Sequence, residues 1–270
     1  MKTEVAVVIP FYKTELNHNE VFSLKQCFKV LGKHGIIIIK PLSLELPKQL
    51  DPTPVNQVIS FEEKYFKDIQ GYNELMLSTI FYQTFLNYEY ILIYQLDAFV
   101  FSDQLLYWCG KKYDYIGAPW LYPTFELSWF SRTLLDLKSF LYRRYNKKSK
   151  NGLPRPKQFL KQVGNGGLSL RRTQAFYDLS ITFSELAAAY IKEERLEFNE
   201  DIFWSIAINR KKRFLKVPPY KTALKFSIET CPEIAFKLNQ NQLPFGCHAW
   251  DKNLNFWKPI LQISGYLPEK

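Results

Sequence analysis

YEYILIYQLDAFVF, residues 88–101, decides the fold. Its first half is the most apolar strand-like run in the chain, and its residue types suit a pleated, buried surface. One carboxylate, Asp97, stands at its end among aromatic and aliphatic neighbours. Burying such a group unpaired costs roughly 2–7 kcal/mol or more before its pKa moves. Asp97 therefore has a partner that neutralises it, a helix cap or a lysine, or it meets a ligand.

Working outward, the first hundred residues alternate strand and helix. VAVVIP (5–10), GIIIIKP (35–41) and VNQVISF (55–61) read as strands, the first two ending at proline. Residues 19–32 carry Val21, Leu24, Phe28 and Leu31 at helical spacing and stop at Gly32; residues 72–86 repeat the pattern with Leu75, Ile80, Phe81 and Phe85. Such alternation predicts an α/β fold with a Rossmann-like, mostly parallel central sheet covered by helices on both faces. Ligands of these sheets bind at the carboxyl ends of the strands. Asp97 stands at one such end, and Pro10, Phe11 and Tyr12 at another. Further on, YDYIGAPW (113–120) reads as a strand with a turn, residues 173–192 and FNEDIFWSIAINRKK (198–212) as helices, and PFGCHAW (244–250) as a late loop.

Composition sets the limits. With 270 residues, 47% of them hydrophobic, the chain has enough material for a full core, in one large domain or two small ones. A net charge of +10 favours nucleic acid, anionic membrane or anionic small molecules as partners. No nucleic-acid recognition motif accompanies the charge, and the acids are clustered, so nucleic acid is the weakest of the three. The N-terminus MKTEVAVVIPFY lacks the pattern of a signal peptide, and no run nears the roughly 20 apolar residues of a membrane span. Cys27, Cys109, Cys231 and Cys247 are scattered with no CxxC pair, which reads as free thiols in a reducing, cytoplasmic setting.

Three further stretches carry candidate chemistry. GNGGLSL (164–170) lets a backbone approach a ligand closely, or makes an ordinary hairpin turn. Asn199-Glu200-Asp201 caps a helix, or supplies a general base whose pKa its neighbour raises. His248 lies between small residues and Trp250; a lone histidine of this kind is structural or a ligand.

In their order, these pieces resemble the nucleotide-sugar glycosyltransferases of the GT-A fold, most of all the β-1,3-galactosyltransferase and Fringe group, with its DxD, GGG-x-x-x-S and ED-V motifs. DIQGYNELMLST (68–79) is similar to a further segment of that group. GYNELML, YQLDAFVF, GNGGLSLR and NEDIFW look more closely like the DUF5672 type of bacterial domain. The likeness runs from about residue 5 to residue 250. It implies one GT-A-like domain over 1–270, with a nucleotide-binding half (1–103), an acceptor-binding half (104–270) and a basic aromatic insertion at about 127–157.

Carried over by residue, the resemblance makes Asp97 a metal or ribose contact and His248 a metal ligand, the ion being Mn²⁺ or Mg²⁺. Asp201 becomes the catalytic base and Glu200 the residue that orients it or binds acceptor. Pro10, Phe11, Tyr12, Asn73 and Gln95 take the donor with Asp97. Asn165, Gly166, Gly167, Trp204 and Trp250 take sugar and acceptor. The implied reaction moves a sugar, from a UDP-sugar first of all, to a glycan or lipid-linked glycan hydroxyl with inversion, in surface polysaccharide or lipopolysaccharide assembly. Phe99 stands where the second acid of DxD is expected, and Ser78 where the group has a lysine; both put the metal in question.

One stretch remains, LSWFSRTLLDLKSFLYRRYNKKSK (127–150). If helical, Leu127, Phe130, Leu134, Leu137 and Leu141 form a stripe that Trp129, Phe140 and Tyr142 broaden, with Arg132, Lys138, Arg143, Arg144, Lys147 and Lys148 around it. This is the composition of an interfacial helix on anionic lipid, at the inner face of the cell membrane, or of a helix packed on its own core. Two readings of another class stay open. One is a glycan- or nucleotide-binding module without turnover; the other is a peripheral membrane adaptor. A nucleotidyltransferase is disfavoured, because IPFYKTE follows the first strand in place of a glycine-rich phosphate loop.

Overall fold

The computed structural model describes residues 3–48, 50, 54–122 and 128–266, with Thr3 and Trp129 described by backbone alone. Strands β1 (Thr3–Pro10), β2 (Gly35–Pro41), β3 (Val55–Phe61), β4 (Tyr88–Tyr94), β6 (Tyr115–Ile116) and β7 (Leu168–Arg172) make a six-stranded sheet in the order β3-β2-β1-β4-β7-β6. The pairings among β1 to β4 are parallel, and β7 runs antiparallel to both neighbours. The sheet is therefore mixed and mostly parallel. A second, three-stranded sheet joins β5 (Phe99–Val100), β9 (Gly246–Cys247) and β8 (Ser227–Ile228). The late loop of the sequence thus contributes a short strand.

Among the described residues, eleven α-helical segments surround the sheets: α1 (His18–Leu31), α2 (Ile69–Leu77), α3 (Thr79–Thr84), α4 (Leu105–Gly110), α5 (Trp129–Arg144), α6 (Thr173–Thr182), α7 (Ser184–Ile191), α8 (Glu200–Ile202), α9 (Tyr220–Phe226), α10 (Pro232–Leu238) and α11 (Leu254–Ile263). Period-two burial splits the main sheet between two cores. Val5, Val7, Ile9, Ile36, Ile38, Tyr90 and Leu92 pack with α1, α4 and α9. Ala6, Val8, Ile37, Ile39, Ile91 and Ile93 pack with α2, α3, α6 and α7. Covering on both faces explains the continuous apolar runs, each fully buried aliphatic contributing about 1.5–3 kcal/mol.

Helix α1 starts at a capping box, in which Asn17 Oδ1 accepts from the Glu20 amide (3.0 Å) and Glu20 accepts from the Asn17 amide (2.9 Å). Two long helices expected from periodicity are each broken. Over 72–86 the break is at Ser78, extended at ψ 145°, whose hydroxyl caps α3 at the Phe81 amide and donates to Leu75 O. Over 173–192 it is at Phe183. The third, after Asn199, begins as one α-turn and widens into a π-turn over Phe203–Ala207.

The strand of the opening stretch ends at Tyr94. Gln95–Ala98 then forms a turn closed by Ala98 N donating to Gln95 O (2.9 Å). This turn sends Asp97 to the surface of a cleft and Phe99 into the small sheet, where it packs on Phe22, Phe101, Trp250 and Tyr266. All four cysteines are free. Among the described residues, no helix is long and apolar enough to cross a membrane.

Candidate active site

A cleft of 810 Å³ opens at the carboxyl ends of β1 and β4. Pro10 and Tyr12 line it after β1, Gln95 and Asp97 after β4, Asn165–Gly167 before β7, and Asn199–Asp201 at the start of α8. Its size suits a ligand of a few hundred daltons.

One part of the cleft is built around His248, just past β9. Its Nε2 lies 3.0 Å from Asp97 Oδ1 and 3.2 Å from Gln95 Oε1, and its Nδ1 lies 3.0 Å from Glu229 Oε1. Burial opposes a charged ring, but the two hydrogen-bonded carboxylates outweigh it and hold the pKa up at about 10. In the same way burial pushes Asp97 and Glu229 upward, while the His248 cation prevails and leaves both below the usual carboxylate range. The glycine-rich segment frames this arrangement. Asn165 adopts the left-handed region (φ 71°), and its Oδ1 accepts from the amides of Gly167 (3.0 Å) and Leu168 (3.3 Å). A Cβ at Gly167 would collide with the His248 ring.

Once Nε2 gives up its proton, Asp97, His248 Nε2 and Gln95 Oε1 make a mixed oxygen and nitrogen donor set, and Glu229 sits on Nδ1 where a carboxylate orients a metal-bound imidazole. Among the described residues no three His, Cys, Asp or Glu side chains converge to hold a metal. The donor set fits Mn²⁺ or Mg²⁺ only if diphosphate oxygens and water complete the shell.

The other part of the cleft holds two adjacent acids, Glu200 on a buried cation and Asp201 beside it. Arg171, fully buried on β7, donates from Nη2 to Glu200 Oε1 (2.8 Å) and from Nη1 to Tyr82 Oη (2.8 Å). Glu200 Oε2 is buried without a hydrogen-bond partner. A Cβ at Gly166 would strike Glu200 Oε1, so the second glycine of the motif makes room for this carboxylate. Asn73 fixes the approach: its amide donates to Asn199 Oδ1 (3.0 Å) and its oxygen accepts from the Glu200 amide (3.1 Å). Asp201, which lines the cleft, accepts from the Ile202 amide at Oδ1 (2.8 Å), and no described residue donates to its Oδ2. Burial, then the charges of Glu200 and Glu229, push its pKa up to about 7.

The structure therefore gathers Pro10, Tyr12, Asn73, Gln95, Asp97, Asn165, Gly166, Gly167, Glu200, Asp201 and His248 around one cleft. Three expected contacts are elsewhere. Phe11 is buried in the core beneath the sheet. Trp204 is buried against Tyr82 and Phe176, its Nε1 donating to Met76 O (3.1 Å). Trp250 packs with Phe22 and Phe99 in the small sheet's core. In each case a large apolar ring is worth more in the core than on a polar wall. Phe99, at the expected second-acid position, lies in the small sheet's core, so Asp97 pairs with His248, and Gln95 on its N-terminal side meets the same Nε2. Asp103 is bound away from the cleft by Lys33 (2.7 Å) and His34 (3.0 Å).

Arg171, Glu229 and the cleft lysines Lys67 and Lys252 escaped the sequence reading. Arg171 had a signal, a cation inside a strand-like run. Glu229 had none.

Solved structures share this architecture. The apo form of mouse xyloside xylosyltransferase 1 is 12% identical with a TM-score of 0.52, over 92% of this chain and 97% of that one. Galactosyltransferase LgtC, in complex with donor and acceptor sugar analogs, is 10% identical with a TM-score of 0.54, over 98% and 97%. Core-mannan synthase A from Aspergillus fumigatus, in its Mn/GDP form, is 12% identical with a TM-score of 0.50, over 82% and 73%. At these identities the likeness is one of fold, the GT-A glycosyltransferase fold. A search of curated protein sequences finds no match. Residues 56–248 match the family described as "Protein of unknown function (DUF5672)", and with more than half of its length inside that match the chain belongs to this family.

Proposed function

We propose that the chain is a glycosyltransferase of the hexosyl type. It moves a sugar from a nucleoside-diphosphate donor, UDP first among the candidates, to a hydroxyl of a glycan or lipid-linked glycan, with inversion. The observation that carries this reading is Asp201, a carboxylate with a pKa of about 7 in the same cleft as the His248 cation. A general base works best when its pKa lies near the operating pH. The acceptor oxygen attacks the anomeric carbon while the bond to the diphosphate oxygen breaks, its electrons staying on the diphosphate. The acceptor proton passes to Asp201 Oδ2. Glu200, locked by Arg171, keeps Asp201 basic. His248, Lys67 and Lys252 face the growing charge of the leaving group. A divalent cation would be held by Asp97, Gln95 and His248 Nε2 only in exchange for the Nε2 proton, and would then supply the charge neutralisation that the His248 cation supplies without it. The setting we infer is surface polysaccharide assembly, lipopolysaccharide included, on the cytoplasmic side of a membrane.

Gln95 in place of a second carboxylate favours one other reading, a nucleotide-sugar-binding module without turnover. Calorimetric titration with UDP, GDP and CDP, with and without Mn²⁺, on wild type and Asp97→Ala, tests the donor pocket. Release of nucleotide from UDP-sugars in the presence of glycan acceptors then separates the two. Binding with no release under any acceptor favours the module, and no nucleotide binding in folded protein removes both readings.

A further inference from the structure

Helix α5 turns its two faces to different surroundings. Leu135, Ser139, Tyr142 and Arg143 point inward, Ser139 being buried and the others half-buried. Phe130, Leu134, Leu137 and Leu141 form the opposite stripe, each between 43% and 71% exposed, and Phe140 and Tyr145 extend it. The stripe thus does not pack on the protein's own core. Leu127 lies outside the described residues, as does the side chain of Trp129. Contiguous apolar exposure of this kind marks an interaction surface.

Beside that stripe is a cavity of 720 Å³, walled by α5, residues 160–163 and residues 205–220. Arg143, Arg144, Lys161, Arg210 and Arg213 line it, against one acid, Asp136, which is already bound to Lys161 (2.7 Å). Arg210 is fixed, donating to Arg143 O (2.9 Å) and Gln158 Oε1 (2.8 Å). The Arg143 guanidinium lies near the Phe140 ring, 6.0 Å from its centroid. Among the described residues no carboxylate pairs with Arg143 or Arg210. Burial depresses the Arg143 pKa and the charge of Arg210 depresses it further. Two half-buried like charges side by side are unfavourable until an anion joins them.

We infer that this face docks on a bilayer of anionic lipid. The α5 stripe enters the boundary between headgroups and acyl chains, and the cavity beside it takes a lipid phosphate between Arg143 and Arg210. Charge complementarity selects this occupant over a neutral apolar partner, because the unneutralised guanidiniums adjoin the apolar strip and Phe140 belongs to both. The inference goes beyond the transfer reaction and stands whether or not the cleft turns over a nucleotide-sugar.

Cosedimentation of the full chain with vesicles of phosphatidylcholine alone, or mixed equally with phosphatidylglycerol, tests it. The protein is expected on the mixed vesicles only. Arg143→Gln, whose side chain holds no structural hydrogen bond in the described fold, lowers that binding about fivefold. Leu134→Ser with Leu137→Ser, both exposed, lowers it about tenfold or more, with an unchanged circular dichroism spectrum. Equal binding to both vesicle types, or an Arg143→Gln variant that binds like wild type, overturns the inference. So does calorimetric binding of free pyrophosphate at Arg143 without vesicle binding, which would make the ligand soluble. A concentration-dependent dimer that ignores vesicles would assign the face to a second copy, and would overturn it as well.

Discussion

Asp97 and Asp201 share one cleft and one side-chain chemistry, yet their surroundings move them in opposite directions. Asp97 faces a cation, His248, which keeps it ionised below the usual range despite burial. Asp201 faces two anions, Glu200 and Glu229, on top of burial, and is pushed up to about 7. The difference teaches that role here comes from neighbours and not from residue type. The ionised acid attracts cations, and the acid poised near neutrality exchanges protons.

The comparison breaks most visibly in turnover. Asp201→Asn is expected to cut kcat by about 10²–10⁴-fold while UDP affinity stays as in wild type, read by single-turnover kinetics beside calorimetry. In wild type only the ionised form accepts a proton, so kcat rises with pH and levels off above about 7. A flat profile across that range would remove Asp201 as the base. Next in size is Arg171→Met, which leaves Glu200 buried and unpaired. Denaturant unfolding is expected to show a loss of about 3–5 kcal/mol, most of it recovered when Glu200→Gln is added.

A smaller effect has the opposite sign. The pKa of Asp201 is higher folded than unfolded, so the fold favours its protonated form. Its contribution is best below about pH 4 and is lost as pH rises through about 7. Asp201→Asn should therefore gain about 1–3 kcal/mol at pH 8 and show little gain at pH 4, visible as a Tm difference between the two buffers. Last, His248→Gln removes the cation that Asp97 and Glu229 share. Nucleoside-diphosphate affinity is expected to fall about tenfold, the order of one charge-assisted contact. The raised pKa of His248 stabilises the fold below about pH 6.5, and that stability is lost as pH climbs through about 10. The variant should lack this part of the wild-type alkaline decline.

Much of this was legible in the sequence. Strands β1, β2 and β4 announce themselves because both faces of the sheet are covered there, so their apolar runs have no other stable place, whereas β3, the mostly exposed edge strand, shows only through its β-branched residues. The carboxyl-edge position of Asp97 followed from that. GNGG was readable as a site of close approach, but not what it approaches: Gly166 clears Glu200 and Gly167 clears His248, residues distant in sequence. Arg171 and Glu229 join the site only through tertiary contacts, from a strand interior and from the end of a two-residue strand. Phe11, Trp204 and Trp250 were misplaced because aromatic rings near a site motif serve the core as readily as a ligand. Periodicity could not show which way the α5 stripe faces, since an apolar stripe looks the same whether protein or another phase covers it.

The π-turn at Phe203–Ala207, closed by the Ile208 amide on Phe203 O (3.2 Å), fits one more residue into a helical turn than an α-helix does. Deleting one residue there would let the turn close as an ordinary helix and rotate everything before it by about 100°. Trp204 is anchored in the core, so the rotation would fall on Glu200 and Asp201 and carry them off their present bearing. Chain length in this turn acts as a phase setting: a single-residue deletion, with every side chain of the cleft retained, would detune the site as thoroughly as replacing Asp201.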